Sequence, residues 1–419
     1  MSLDGYFEID TKRKRGRIPM SDTNLDKNKR GNASKKLLNY ILTFTKELGY
    51  IVDIKENYSK GKEGYTDTKQ FKAHYLIKFD DGTEWILFTT TSIRDRVKQQ
   101  YWDAINLMDI NSNIKRAYLI YPDSIDAGEK EIAEKKNLKI ATNGEYSPLD
   151  GIISQDKIFN LIEEYALRNK TPSQIRDIKG NNFERRIAAI LSNPYNLEKW
   201  KSNDETLEGM HYDVFEMIVS CMDLDASTII QIDATADKRE IGLLPSGGSP
   251  KTDVLVKIQC LNSSEIIQTI SCKRTSADRV SVHQYSADTF ATVLDETNEN
   301  LKRLLRIFQN KGAVRDRQGN RYMSEEDETA LVSLLAPLNS KLTEWVVGGI
   351  HGAGNALIQW ARYIVVYDNN DASTTIHSTE DYCTLLIENE TDGNFGTPFK
   401  WTYQGERGTN IQLKCKIIK

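Results

Sequence analysis

Cysteine is scarce in this chain: Cys221, Cys260, Cys272, Cys383 and Cys415 are scattered through 419 residues, odd in number and without a CxxC spacing. That pattern argues against a zinc site or a disulfide framework and suits a reducing cytoplasm. Cys272 has only His283 near it in sequence, so it reads as a packing residue rather than a thiolate nucleophile. Long apolar runs are missing too. None approaches the roughly 20 residues that a membrane-spanning helix needs, and no signal peptide opens the chain, so no membrane is expected as a partner. A dominant charge is also missing: the net charge is −4, and no global basic field announces nucleic acid. Gly348 to Gly354 lacks the Gly-Lys-Ser/Thr ending of a phosphate-binding loop and reads as a flexible loop.

What is present is an ordinary globular composition, 39% apolar and 28% charged, in a chain long enough for two domains. Basic residues gather locally, at Lys12, Arg13, Lys14, Arg15 and Arg17, and again at Lys27, Lys29, Arg30, Lys35 and Lys36. Two further groups are Lys273, Arg274 and Arg279, and Arg407, Lys414, Lys416 and Lys419. Charge runs are usually solvated surface; the two N-terminal groups are the ones to weigh for phosphate contact, which would show as salt-dependent affinity. Residues 1–33 read as a flexible arm.

The pattern after the arm predicts an α/β domain. A helix capped at Ser34 and ending near Gly49, with its apolar face over Leu37 to Phe44, is followed by strands at Phe71 to Phe79 and Trp85 to Thr91, joined by an Asp-Asp-Gly-Thr turn. Then come a helix from about Arg96 to Met108, a strand at Ala117 to Tyr121, a helix over Ala127 to Lys135, a strand at Leu138 to Ala141 and a closing helix from Gln155. Lys170-Thr171-Pro172-Ser173 marks the boundary, giving domains 1–168 and 169–419. In the second domain helices are expected over Asn182 to Leu191, with Glu184 in its first turn, and over Asp204 to Met222. Further helices follow at Ser286 to Asp295, Glu299 to Phe308 and Ser324 to Val347, then strands at Arg362 to Tyr367, Thr374 to Ile376 and Cys383 to Glu388.

The chemistry concentrates in one stretch. Gly247-Gly248-Ser249-Pro250-Lys251-Thr252-Asp253 delivers Asp253 to a strand, Val254 to Cys260, which a polar loop joins to a second strand ending in Ser271-Cys272-Lys273-Arg274. A hairpin centred near Ser263 sets Asp253 opposite Lys273, with Ser271 on the same face. A carboxylate, a hydroxyl and an ammonium on one face are the minimum for metal-assisted phosphodiester hydrolysis. An exposed ion pair on a hairpin is an equally good account of the spacing alone. The last segment is the other informative one: Ile411, Leu413, Cys415 and Ile417 alternate with Gln412, Lys414 and Lys416, an inward apolar and an outward polar face. Such a polar face is either plain solvated surface or a set of donors for base edges.

Together these runs resemble the MspI-type restriction endonucleases of the PD-(D/E)xK nuclease group, over about residues 175–419. Gly247 to Asp253 and the spacing to Lys273 match without a gap; Ser271 stands where that family has Asn. The recurrence continues at Gly180 to Glu184, at Ser281, and at Trp401-Thr402-Tyr403 followed by Gln412 and Lys414. The resemblance implies a restriction-endonuclease-like mixed sheet flanked by helices. It implies a Mg2+-dependent type II restriction endonuclease acting on double-stranded DNA at CCGG or a similar site. In that reading Asp253 and Glu184 hold metal, Ser271 is a weak or water-mediated ligand and Lys273 positions water. Ser281, Gln412, Lys414, Lys251, Arg274 and Tyr403 contact DNA. A cytoplasmic location and a cognate DNA methyltransferase come with the class, and a homodimer is compatible with it. The alternative is a sequence-specific or modification-sensing DNA-binding protein whose cleavage is weakened or lost through Ser271. The order of elements in residues 1–168 also resembles a nuclease core, which would place an Asp near His74 and a Glu-x-Lys near Phe88 to Thr91. Phe88-Thr89-Thr90-Thr91-Ser92 supplies neither, leaving DNA grip, base recognition or dimerisation as roles.

Overall fold

One arrangement occurs twice along this chain: a helix, three antiparallel strands, and a fourth strand parallel to the third. The computed structural model describes residues 22–61, 70–204, 207–275, 277–311, 323–371, 373–403 and 408–418. The first basic cluster, Arg407 and Lys419 lie outside the described residues, as do the side chains of Lys27, Lys29 and Arg30. The chain divides into two compact units, Met1–Leu161 with Thr206–Glu208, and Ile162–Glu205 with Gly209–Lys419. The division falls inside a helix, a few residues before the expected cut at 168/169.

In the N-terminal unit, α1 (Asp22–Glu47) precedes β1 (Asp53–Glu56), a small hairpin of β2 (Ser59–Gly61) and β3 (Gln70–Lys72), then β4 (Tyr75–Lys78) and β5 (Glu84–Thr89). These are followed by α2 (Ile93–Ile110), β6 (Ile114–Tyr121), α3 (Ala127–Asn143), β7 (Gly151–Ser154) and the start of α4 (Gln155–Leu167). The main sheet runs β1-β4-β5-β6-β7. Phe71, Leu76, Ile86, Phe88, Val97 and Leu119 form its core, and full burial of each large apolar side chain stabilises by roughly 1.5–3 kcal/mol.

Three expectations are corrected here. Residues 22–33, expected as part of the flexible arm, form the first part of α1. Phe71 to Phe79 is two strands in two sheets, with Ala73 and His74 between them. Leu138 to Ala141 is not a strand but the last part of α3, which runs on to a left-handed C-cap at Gly144. The strand is Gly151–Ser154, held to that helix by Asn137, whose side-chain amide exchanges two 2.8 Å hydrogen bonds with the Ile152 backbone.

In the C-terminal unit, α5 (Pro172–Leu191) is followed by α6 (Pro194–Ser202), α7 (Tyr212–Cys221), β8 (Ile229–Thr235), α8 (Lys238–Ile241), β9 (Val254–Cys260), β10 (Glu265–Thr275) and β11 (Arg279–Tyr285). Then come α9 (Ala287–Asp295), α10 (Glu299–Lys311), α11 (Glu325–Leu335), α12 (Asn339–Gly348), β12 (Tyr363–Asp368), β13 (Ser373–Ser378), α13 (Thr379–Asn389), β14 (Lys400–Thr402) and β15 (Ile411–Lys416). One mixed sheet runs β13-β12-β10-β9-β8, and a second, antiparallel sheet runs β11-β15-β14. Helix α5 lies across β8, β9 and β10. The larger core is built from Phe290, Phe308, Trp345, Leu386, Trp401 and the inward residues Ile411, Leu413 and Cys415 of β15.

Here the expected helix over Asp204 to Met222 shrinks to α7, because Asn203 and His211 adopt left-handed backbone. The expected strand Cys383 to Glu388 is the helix α13, started by Ser378, whose hydroxyl accepts the Asp381 N–H, and favoured by Glu380 and Asp381 in its first turn. Ser324 to Val347 is two helices separated by a short 3-10 turn at Pro337. None of the five cysteines is in a disulfide. Among the described residues, no helix is long and apolar enough to cross a membrane.

Candidate active site

The β9–β10 register pairs Val254 with Ile270 and Gln259 with Glu265. The Asp253 N–H donates to the Ile270 carbonyl at 2.8 Å, so Asp253 comes opposite Ser271, not opposite Lys273 as a centre at Ser263 would require. The slip is two residues, which leaves every side chain on its expected face. Asp253, Ser271 and Lys273 therefore still meet. Asp253 Oδ2 accepts from the Cys272 N–H at 2.7 Å and from the Ser271 hydroxyl at 3.1 Å, and lies 3.4 Å from Lys273 Nζ. Lys273 Nζ in turn donates to Ser271 Oγ at 2.6 Å and to the Cys272 carbonyl at 3.2 Å. Ser271 is fully buried and stands between the two charged groups. The Cys272 thiol, also buried, is pushed well above the ordinary thiol range, first by burial and then by Asp253, which suits packing and not nucleophilic attack.

Glu184 reaches the same place from α5. That helix starts at Pro172, with Thr171 and Gln174 forming a reciprocal capping box, so Glu184 lies well past the first turn where it was expected. Its position therefore owes nothing to the helix dipole. Phe183 and Ile187 on either side are buried and fix its height above the sheet. Burial, then the charge of Asp253, pushes the Glu184 carboxyl up to about 7, against the pull of Lys238 and Lys273. Glu184, Lys238, Thr252 and Asp253 line one narrow cleft. Two mutually repelling carboxylates at a cleft suit a hard cation, which commonly takes one or two carboxylates and keeps several waters. Among the described residues no cluster of three or more His, Cys, Asp or Glu side chains forms, so any cation here would rest on this pair, backbone oxygen and water.

Asp253 also faces a wider cavity of about 430 Å³, which it lines with Lys273, Ser281, Gln284, Tyr285 and Gln412. The far wall comes from the β11-β15-β14 sheet. Ser281 pairs across strands with Lys414, Gln284 with Gln412, and Lys414 and Gln412 pair again with Lys400 and Thr402. Directly opposed residues share a face, so these six polar side chains form one surface, backed by the buried Ile411, Leu413 and Cys415. Gln284 was not singled out from the sequence; the alternation of β15 could have found it only once its pairing strand was known. Lys238 was likewise missed, on a four-residue helix that leaves little periodic signal.

Three other candidates are engaged within the fold. The Lys251 ammonium turns inward to donate to the Val282 carbonyl, at a bulge in β11 between Ser281 and His283. Burial first, then Lys273, pushes it down to about 7. Gly349, with φ +77°, lets α12 end against the Lys251 stem, where an added Cβ would lie 2.9 Å from Cγ. Arg274 is not presented outward for phosphate contact. Its side chain is 9% exposed, paired with Glu163 at 3.4 Å, bonded to Asn369 at 2.9 Å and placed over the Tyr367 ring. Tyr403 stacks on Phe308 and its hydroxyl donates to the Phe308 carbonyl at 2.6 Å. In the remaining basic groups, Arg279 pairs with Glu390 and Asp392, and Lys416 with Glu390. His283 is buried against Trp345, Tyr285 and Phe290, and burial followed by the Lys251 charge holds it neutral.

Comparison with known proteins shows which family the chain belongs to. Residues 158–415 match the family model described as restriction endonuclease MspI. The type II restriction enzyme BsuFI of Bacillus subtilis is 29% identical over 412 residues, covering 94% of this chain and 99% of that enzyme. The type II restriction enzyme MspI of Moraxella sp is 26% identical over 246 residues, covering 57% of this chain and 89% of the enzyme. A crystal structure of MspI in complex with its cognate DNA matches 62% of this chain and 98% of that one, at 22% identity and a TM-score of 0.49. The family match spans more than half of the sequence and contains the whole carboxylate–lysine site and its polar sheet, and the chain belongs to the MspI family of type II restriction endonucleases.

Proposed function

We propose that this restriction endonuclease hydrolyses double-stranded DNA at a CCGG-like site with Mg2+ as its cofactor. The observation that supports it is a convergence. Asp253 and Lys273 share one cavity with Ser281 and Gln412, so a duplex whose bases meet the polar sheet has its backbone beside Asp253. Asp253 and Glu184 would hold the cation, which when bound supplies Lewis-acid polarisation of the phosphate and a water of lowered pKa. Lys273 orients the attacking water and offsets charge on the phosphoryl oxygens. Ser271, bonded to both Asp253 and Lys273, acts as a positioning residue. Water oxygen adds to phosphorus and one P–O ester bond breaks, leaving a phosphate monoester and a hydroxyl. In this reading Gln412 and Lys414, on the polar sheet, donate to guanine N7 and O6 and Ser281 to a neighbouring base edge, each good base contact contributing about 1–3 kcal/mol of discrimination.

The test is plasmid digestion with Mg2+ and with EDTA, with the ends mapped and Asp253→Ala run alongside. Discrete Mg2+-dependent fragments ending at CCGG-type sites and absent with the variant are expected. Fragments at unrelated sites would keep the reaction and reject the base contacts. A second reading, selective binding with weakened or lost cleavage, is favoured by Ser271, whose buried hydroxyl gives the cation no amide or carboxylate oxygen. Retained sequence-selective binding with no cutting on any substrate would establish that reading instead.

A further inference from the structure

The N-terminal unit repeats the backbone geometry of the active site with different side chains. His74 immediately precedes β4 as Asp253 precedes β9, the second strand of each meander. The His74 N–H donates to the Leu87 carbonyl at 3.0 Å, as that of Asp253 does to Ile270. The His74 side chain, through Nδ1, accepts the N–H of Thr89 at 3.0 Å, as the Asp253 side chain accepts that of Cys272 at 2.7 Å. In both units the acceptor strand is the third of the core and runs parallel to the fourth. The correspondence is therefore residue by residue: His74 for Asp253, Phe88 for Ser271, Thr89 for Cys272, Thr90 for Lys273.

The preceding helix follows the same rule with the opposite sign. Glu184 on α5 repels Asp253; burial first, and then Lys35 on α1, disfavours the protonation of His74. The Tyr75 hydroxyl, donating to the Lys35 carbonyl at 3.0 Å, ties helix to strand. Between them lies a cavity of about 470 Å³ lined by Lys35, His74, Thr89, Thr90, Arg96 and Gln100 among others, with no carboxylate among its described residues. A hard cation would find no carboxylate to offset its charge there. An anion has an ammonium, a guanidinium, hydroxyls and an amide. Because His74 Nδ1 is an acceptor, the neutral ring carries its hydrogen on Nε2 and adds a further donor.

We propose that this cavity is a nuclease-type pocket with its charge reversed, and that it holds a backbone phosphate of duplex DNA without cutting it. This rests on the reading of the chain as a DNA endonuclease. The pocket then adds affinity independent of sequence, because phosphate contacts position a protein without reading bases.

The experiment is DNA binding by the full chain in EDTA, over a range of salt concentrations, on a CCGG duplex and a duplex lacking the site. Wild type, Lys35→Gln/Arg96→Gln and Arg96→Glu are compared, with thermal melting as the check on folding. Removing one cation from a phosphate should flatten the plot of log affinity against log salt by about 0.9. The double variant is expected to bind both duplexes more weakly by the same factor with a slope flatter by about 1–2, and Arg96→Glu to weaken both as well. Arg96 is exposed on α2, so it remains informative if the Lys35 substitution, which removes the 2.8 Å bond to Asn57, unfolds the chain. Slopes equal to wild type in folded variants, or a weakening confined to one duplex, would overturn the inference while leaving the endonuclease standing. No salt-dependent binding by wild type would overturn both.

Discussion

The two cores put the same backbone bond under opposite charges. In the C-terminal unit the acceptor opening the second strand is a carboxylate, flanked by Glu184 from the helix and Lys273 from the third strand. In the N-terminal unit it is a neutral imidazole, flanked by Lys35 and, at the position of Lys273, Thr90. The sheet does not depend on the difference, because the hydrogen bond from the third strand needs only an acceptor, and His74 Nδ1 serves as well as Asp253 Oδ2. The chemistry depends on it entirely. A scaffold of this kind separates folding from function at single positions, and the side chains at those positions decide between a site for a cation and a site for an anion.

The contrast breaks first at Lys273. Lys273→Ala makes the third strand of the C-terminal site resemble its N-terminal counterpart, where Thr90 puts no ammonium at that position. Cleavage by single-turnover kinetics should fall by about 10²–10³-fold, the usual loss when a donor to developing charge is removed. Wild-type rates in the variant would show that this charge does not distinguish the two cores. A smaller effect separates them by recognition. Among the described residues the N-terminal unit has no counterpart of the β11-β15-β14 sheet. Gln412→Ala should therefore relax the preference for the cognate over a singly substituted site by about 1–3 kcal/mol, or roughly 5–150-fold in relative cleavage rate. Unchanged discrimination would remove Gln412 from base reading.

An effect of similar size is expected at Ser271, where the N-terminal unit has Phe88. A hydrogen bond to a charged group contributes about 1.5–3 kcal/mol. Ser271→Ala should slow cleavage by roughly tenfold or more with little change in DNA affinity, and Ser271→Asn should restore the rate if the side chain acts by positioning. A wild-type rate in Ser271→Ala, or a loss in affinity alone, would place Ser271 outside the machinery.

Much of the site was legible in the sequence because its parts are contiguous or periodic. Asp253 and Lys273 end the two arms of one hairpin, and an error of two residues in register cost nothing because face parity survives it. Gln412 and Lys414 stood out through strict alternation, and the burial of Ile411, Leu413 and Cys415 matches it. What stayed hidden depended on distant partners or ambiguous runs. Arg274 read as an exposed cation because Glu163, which neutralises it, lies far off in sequence. Leu138 to Ala141 and Cys383 to Glu388 are short apolar runs that helix and strand share equally, and the caps at Gly144 and Ser378 decided for helix. Glu184 was put in a first turn because Gly180, Asn181 and Asn182 are weak helix formers, although the Thr171 capping box starts the helix earlier.

Glu184 also carries the most delicate test of the two-core contrast, because it reads the carboxylate pair without requiring catalysis. Its carboxyl sits at about 7 in the folded protein against an ordinary 4.5, chiefly through burial and secondly through Asp253. A raised folded value means that the unfolded chain gives up its proton first as pH rises. The associated stability is complete below about 4.5 and is lost on passing through 7. Metal-free protein should therefore be destabilised across that window, and Glu184→Gln, which cannot ionise, should not. Allowing for the partial exposure of the carboxyl, the difference above pH 7 is on the order of 1 kcal/mol, about 2–4 °C in Tm, with the variant the more stable. Mg2+ should reverse that order, since a ligand that binds the folded pair stabilises the wild type more. If the two proteins melt alike at high pH with and without Mg2+, Glu184 does not share a site with Asp253, and the cation must rest on Asp253 alone.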